Sequence, residues 1–168
     1  MVKRSVVLGW IAEQSFTIAV AGTHGKTTTS SIITHLLKQA DVNCTAFLGG
    51  ISINYDSNLV LGNYDDENNQ PKVVVEADEF DRSFLTLHPD IAVITSMDAD
   101  HLDIYGDKEQ LEESYRLFAT QVKPNGLLIH KAGLAIPTGA TKGFSYSIEQ
   151  QADYRAENIR VEHKSNTN

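Results

Sequence analysis

The stretch Ile18-Ala19-Val20-Ala21-Gly22-Thr23-His24-Gly25-Lys26-Thr27-Thr28-Thr29-Ser30 decides how this chain is read. Residues 16–21 are nearly all apolar, as a strand buried on both faces must be. Gly22 and Gly25 break that pattern. Over residues 26–40, Ile32, Ile33, Leu36 and Leu37 recur at helical spacing and predict a helix with one apolar side. A strand, a glycine turn and a helix opening on Lys-Thr can wrap a nucleoside triphosphate. Small residues let successive N–H groups converge on an anion, and a helix N-terminus adds its dipole and free donors. Lys26 supplies a flexible cation for the outer phosphates, and Thr27 a hydroxyl for magnesium. Gly22, Thr23, His24, Gly25 and Thr28 complete the candidate cradle. The strict spacing of glycine, four residues and Gly-Lys-Thr is not met, because its first position is Val20. The loop is a shorter form, Gly-Thr-His-Gly-Lys-Thr. The competing reading is a plain helix cap with a surface lysine, and the flanking apolar strand and amphipathic helix weigh against it.

Outward from the loop, Val73, Val74 and Val75 predict a second buried strand ending at Glu76. Residues 91–95 predict a third, ending near Ser96. A helix is expected over residues 108–121, with Leu111, Tyr115, Phe118 and Ala119 as its apolar positions. A turn at Pro124-Asn125-Gly126 leads to a strand at 127–130. Residues 44–48 read as a short strand, and 141–148 and 156–161 as further ones. Residues 1–15 read as a helical lead-in, 49–70 as a polar stretch with the acidic run 65–69 a solvated loop, and 163–168 as a frayed tail. This alternation predicts an α/β fold of the P-loop type, a mainly parallel sheet flanked by helices.

Two strand ends carry acids, where open parallel sheets place their sites. Glu76 stands at the head of Glu76-Ala77-Asp78-Glu79-Phe80-Asp81 and is a candidate magnesium ligand. Asp78 and Glu79 are equally readable as caps of a following helix. The segment Asp98-Ala99-Asp100-His101-Leu102-Asp103 puts a histidine among three acids, a second candidate metal group. His101 alone is equally readable as a half-buried helix cap. Two such strand ends beside Lys26 would do charge work on a triphosphate.

Composition narrows the class. The 168 residues, 41% hydrophobic and 21% charged, can bury one sizeable core. A net charge of -8 argues against a nucleic-acid partner. No apolar run is long enough for a membrane span. A lone cysteine, Cys44, excludes an internal disulfide, fits a reducing, cytoplasmic setting, and lies in an apolar run that predicts core packing.

Three segments in this order and spacing resemble the ATP-dependent Mur ligases of bacterial peptidoglycan synthesis: residues 21–29, residues 76–84 (Glu76-Ala77-Asp78-Glu79-Phe80-Asp81-Arg82-Ser83-Phe84) and residues 98–103. The resemblance implies the branch that joins L-alanine to UDP-N-acetylmuramate. There ATP activates the carboxylate as an acyl phosphate, the amine attacks, and ADP and phosphate leave. It implies ATP and Mg2+ as cofactors. Lys26 and His101 would be catalytic, with Lys26 on the β- and γ-phosphates. Thr27 and Glu76 would hold one magnesium and His101 a second metal. Gly49, Gly50, Asn58 and Ser83 would lie near the UDP-sugar. His24 would mark this branch and its tripeptide-recycling relative, where other Mur ligases usually have asparagine. Ser96 and Asp98 depart from the family's more frequent asparagine and glutamate. The resemblance further implies a central ATP-binding domain over residues 16–168, stopping before its last elements. The N- and C-terminal domains of the parent enzyme would be its missing partners, and the chain alone would lack ligase activity. The rival readings are the recycling ligase, a nucleotide-dependent switch and a catalytically silent scaffold.

Overall fold

Ala19, Val20 and Ala21 are wholly buried, and the strand that holds them, β1 (Phe16–Ala21), runs through the middle of the sheet. The structure is a computed structural model that describes residues 2–63, 70–98, 108–136 and 142–161. The elements before and after β1 are α1 (Arg4–Glu13), α2 (Lys26–Gln39), β2 (Thr45–Ser52), β3 (Ser57–Val60), β4 (Lys72–Glu76), a 3-10 helix (Phe80–Thr86), β5 (Ile91–Ile94), α3 (Lys108–Thr120), β6 (Leu127–Lys131), β7 (Lys142–Ser147) and β8 (Tyr154–Arg155). Among the described residues eight strands form one sheet in the order β3-β2-β4-β1-β5-β6-β7-β8. Every neighbouring pair is parallel except β2 and β3. The expected α/β fold with a mainly parallel, helix-flanked sheet is therefore present.

Side chains alternate across a strand, so β4 serves both faces. Val73 and Val75 join α1, α3 and the 3-10 helix in one core, which contains Phe84, Leu111, Tyr115 and Phe118. Val74 turns to the other face and packs with Ala46, Leu48 and Val60 beneath Ile33 and Leu37 of α2. In the first core Phe84 stacks on Phe118 with centroids 5.1 Å apart and meets Tyr115 edge-on at 5.4 Å. The helix-period reading of α3 is met in full: Leu111, Tyr115, Phe118 and Ala119 are all buried.

Three expectations are corrected. The inner side of α2 is not the stripe of Ile32, Ile33, Leu36 and Leu37, because Ile32 and Leu36 are more than half exposed. Its buried residues are Ser30 and Thr34. Their hydroxyls bond back to Thr27 O and Ser30 O, so small polar side chains enter the core already satisfied. Within the polar stretch 49–70, β2 runs on through Gly49 and Gly50 to Ser52 and folds back as β3. The strand expected at 156–161 is absent. β8 comes earlier, at Tyr154–Arg155, and Asn158 beyond it takes a left-handed φ of 56° that breaks extended backbone. The acidic run at 65–69 lies outside the described residues, as does the tail at 163–168.

Candidate nucleotide site

Register puts the chemistry at one edge. Val20 of β1 is level with Glu76 of β4, and Ala21 with Ile94 of β5. The loop of residues 22–25 therefore leaves β1 between two strand ends that both carry polar side chains. Gly22 has φ 137° and Gly25 φ 79°. A Cβ on Gly22 would overlap Thr95 Oγ1 and lie 2.9 Å from Ser96 N, so this position takes glycine for close approach as well as for its dihedral.

Thr95 and Ser96 tie the loop down. Thr95 Oγ1 lies 2.5 Å from His24 O and 3.1 Å from Ala21 O. Ser96 Oγ accepts the His24 N–H at 2.8 Å and sits 2.8 Å from Thr23 Oγ1. The Asp98 N–H donates to Thr23 Oγ1 at 3.1 Å. The N–H of His24 is thus turned toward the end of β5. The donors left for an anion are at the opening of α2, where the Thr29 N–H is the first to find a carbonyl one turn back, at Gly25 O, 2.9 Å away. Lys26, Thr27 and Thr28 precede it. Ser96 bonds the loop itself.

Lys26 Nζ donates to Gly22 O at 2.7 Å and meets both oxygens of Glu79, Oε1 at 2.9 Å and Oε2 at 2.8 Å. The pair is sheltered, with side chains 15% and 3% exposed. Glu76 links two further pieces. Its Oε1 accepts the Thr27 hydroxyl at 3.0 Å and its Oε2 the Gly49 N–H at 2.7 Å. A Cβ on Gly49 would run into that carboxylate, which explains a glycine inside a strand here. Gly50 abuts the Thr27 methyl group. A cavity of about 430 Å³ opens beside these groups, lined by Lys26, Gly49, Glu76, Asp78 and Ser83 together with Arg4 of α1. Ser83 donates to Asp78 O at 3.0 Å, and the Phe80 N–H bonds Asp78 Oδ1 at 3.0 Å.

The structure thus gathers Lys26, Thr27, Glu76, Gly49, Gly50 and Ser83. Asn58 is not among the cavity's lining residues and stands exposed on β3. His24 and Asp98 face each other at 4.0 Å, both largely exposed. His101, with Asp100 and Asp103, lies outside the described residues. Among the described residues no three His, Cys, Asp or Glu side chains group as a metal site. Sequence reasoning missed Glu79 as a partner of Lys26 and Thr95 as a clamp. Glu79 reads in sequence as one acid of an exposed run. Asp78 caps the turn, whereas Glu79 is 2% exposed with no side-chain bond at the helix start. No helix of the described residues is long and apolar enough to cross a membrane.

With this geometry in view, the likenesses to known proteins fall in line. The sequence pattern of the Mur ligase middle domain matches residues 20–168. A UDP-N-acetylmuramate–L-alanine ligase of Christiangramia forsetii is 52% identical over 98% of this chain and 34% of its own. The chain spans about a third of the length of the curated relatives it matches. Among solved structures, the UDP-N-acetylmuramate–alanine ligase of Thermotoga maritima superposes with a TM-score of 0.72 at 26% identity, covering 91% of this chain and 33% of that one. The UDP-N-acetylmuramate:L-alanyl-gamma-D-glutamyl-meso-diaminopimelate ligase from Neisseria meningitides gives 0.75 at 26% identity, covering 84% and 49%. The loop is pinned between two strand ends that carry polar side chains, the middle-domain pattern covers residues 20–168, and the chain belongs to the Mur ligase family through its middle domain.

Proposed function

We propose that this chain is the nucleotide-binding part of an ATP-dependent ligase that joins L-alanine to UDP-N-acetylmuramate in peptidoglycan synthesis. The observation that carries the reading is the junction of Thr27, Glu76 and Gly49 beside Lys26. In this reading the α2 opening and Gly22, Thr23, His24, Gly25 and Thr28 hold the phosphates, and Lys26 follows the outer ones. Thr27 and Glu76 offer two hard oxygen donors 3.0 Å apart, a donor set that suits Mg2+. When bound, that ion would neutralise phosphate charge and so let one anion approach another. His101 is the proposed ligand of a second metal.

The reaction moves the terminal phosphoryl group of ATP onto the substrate carboxylate. One P–O bond breaks toward ADP as another forms to the acyl oxygen. The amine of L-alanine then displaces phosphate at the carbonyl carbon and loses a proton. Lys26 keeps a positive charge beside the moving phosphoryl group. Gly49 and Ser83 line the cavity where the UDP-sugar's carboxylate end is proposed to lie, and Gly50, next along β2, and Asn58 are proposed to contact the UDP-sugar farther out. The family resemblance and the strong sequence match to alanine-adding relatives support L-alanine as the amine.

Titration calorimetry of this chain with Mg-ATP tests the reading. Lys26→Ala is expected to weaken binding by about tenfold to a hundredfold, as loss of charge-assisted hydrogen bonds does. Equal heats from both proteins would count against a phosphate role for the loop.

A further inference from the structure

The Lys26 ammonium has three N–H donors. Gly22 O accepts one at 2.7 Å and Glu79 Oε1 another at 2.9 Å, while Glu79 Oε2, at 2.8 Å, makes an ion-pair contact without a hydrogen bond. An anion that draws on Lys26 therefore competes with a buried carboxylate for its charge. The Gly22 carbonyl belongs to backbone packed against Thr95 and Ser96, with no room even for a methyl group. The Oε2 contact is the one that can yield, because it is not a hydrogen bond and Oε1 still holds the ammonium. Glu79 is 2% exposed, and a buried carboxylate stripped of its cation is costly, so full separation is disfavoured.

We propose that Glu79 is a positioning residue for Lys26, a counter-ion that holds the ammonium against the loop until a polyphosphate takes over one of its two carboxylate contacts. This rests on the reading of the loop as a phosphate site. Glu79 and the incoming anion then compete for the same cation, and the negative carboxylate also repels the phosphate. The position of Lys26 stays set by Gly22 O and Glu79 Oε1, which aims its remaining donor at the outer phosphates and leaves the inner one to the α2 opening.

The test is Mg-ATP affinity of this chain carrying Glu79→Gln, which removes the charge and halves the acceptors while keeping the shape. Its affinity should rise by about tenfold, the order expected when a competing charge beside a sheltered ammonium is removed. Binding of AMP, which lacks the outer phosphates, should be unchanged. In a Lys26→Ala background Glu79→Gln should do nothing, because the competed cation is gone. Should Glu79→Gln fail to fold, Glu79→Asp carries the test. Its shorter side chain cannot keep both oxygens on Nζ, and its affinity should rise by a smaller factor. Weakened or unchanged Mg-ATP binding by the folded variants overturns the proposal, and if Lys26→Ala still weakens binding, the phosphate reading survives it. Equal binding by wild type and Lys26→Ala overturns both.

Discussion

Gly22 and Gly25 are both glycines at positive φ, yet the structure asks different things of them. Gly25 caps α2 in open surroundings, with only Thr95 Cβ at 4.0 Å from where a side chain would begin. Gly22 is pressed onto the Thr95 and Ser96 backbone at φ 137°. Gly25→Ala should therefore cost only about 1–2 kcal/mol of left-handed strain. Gly22→Ala adds an overlap to a worse dihedral and should cost clearly more, about 3 kcal/mol or above. Urea unfolding of the two variants would show the order, and equal losses would mean the loop relaxes away from β5. Glu79 belongs to the same scale. A carboxylate in a run of four acids is indistinguishable by sequence from its neighbours. Asp78 bonds the Phe80 N–H while Glu79 turns inward to Lys26, and that difference comes from the path of the backbone into the 3-10 helix.

At the scale of elements, the 3-10 helix and α3 are held by one aromatic seam. Phe84, Tyr115 and Phe118 are each no more than 1% exposed. The seam anchors the segment that carries Asp78, Glu79 and Ser83, so packing far from the loop sets the position of its acids. Phe118→Ala should lose about 3–5 kcal/mol from cavity formation, with the slope of the denaturation curve unchanged. Leu117→Ala, one step round the helix and 44% exposed, is the comparison and should lose under about 1 kcal/mol. A loss of similar size at both positions would refute the seam as the anchor. The α3 pattern was legible because a large apolar face admits one orientation. The α2 pattern misled because its inner face is narrow and closed by Ser30 and Thr34, whose hydroxyls satisfy themselves on the helix.

For the molecule as a whole, Cys44 reports on cooperativity. It is 1% exposed, packed at the start of β2. Burial pushes its thiol pKa up, against smaller opposite pulls from Lys38 and Lys72. Thiol reagents attack the thiolate, so a raised pKa and a closed core both slow labelling. In native buffer near pH 8 an aromatic disulfide should label Cys44 about a thousandfold more slowly than in urea-unfolded chain. The rate should climb with urea along the same curve as the loss of helix by circular dichroism. Rapid native labelling would reveal β2 opening on its own, independently of the sheet centre.

Residue order alone determined the alternation of buried strands and amphipathic helices, and with it the parallel α/β sheet. It also determined the loop, since Gly22, Gly25, Lys26 and Thr27 are adjacent in the chain and their chemistry is local. The strand-end rule put Glu76 near that loop, because register in a parallel sheet follows from strand order. What the order of residues could not express is contact between segments distant in sequence. Only the tertiary structure set Glu76 between Thr27 and Gly49, Thr95 and Ser96 against the loop backbone, and Glu79 on Lys26, 53 residues away. Those contacts depend on the angle at which each strand end leaves the sheet and on the packing beneath it, so they exist only once the whole core has closed.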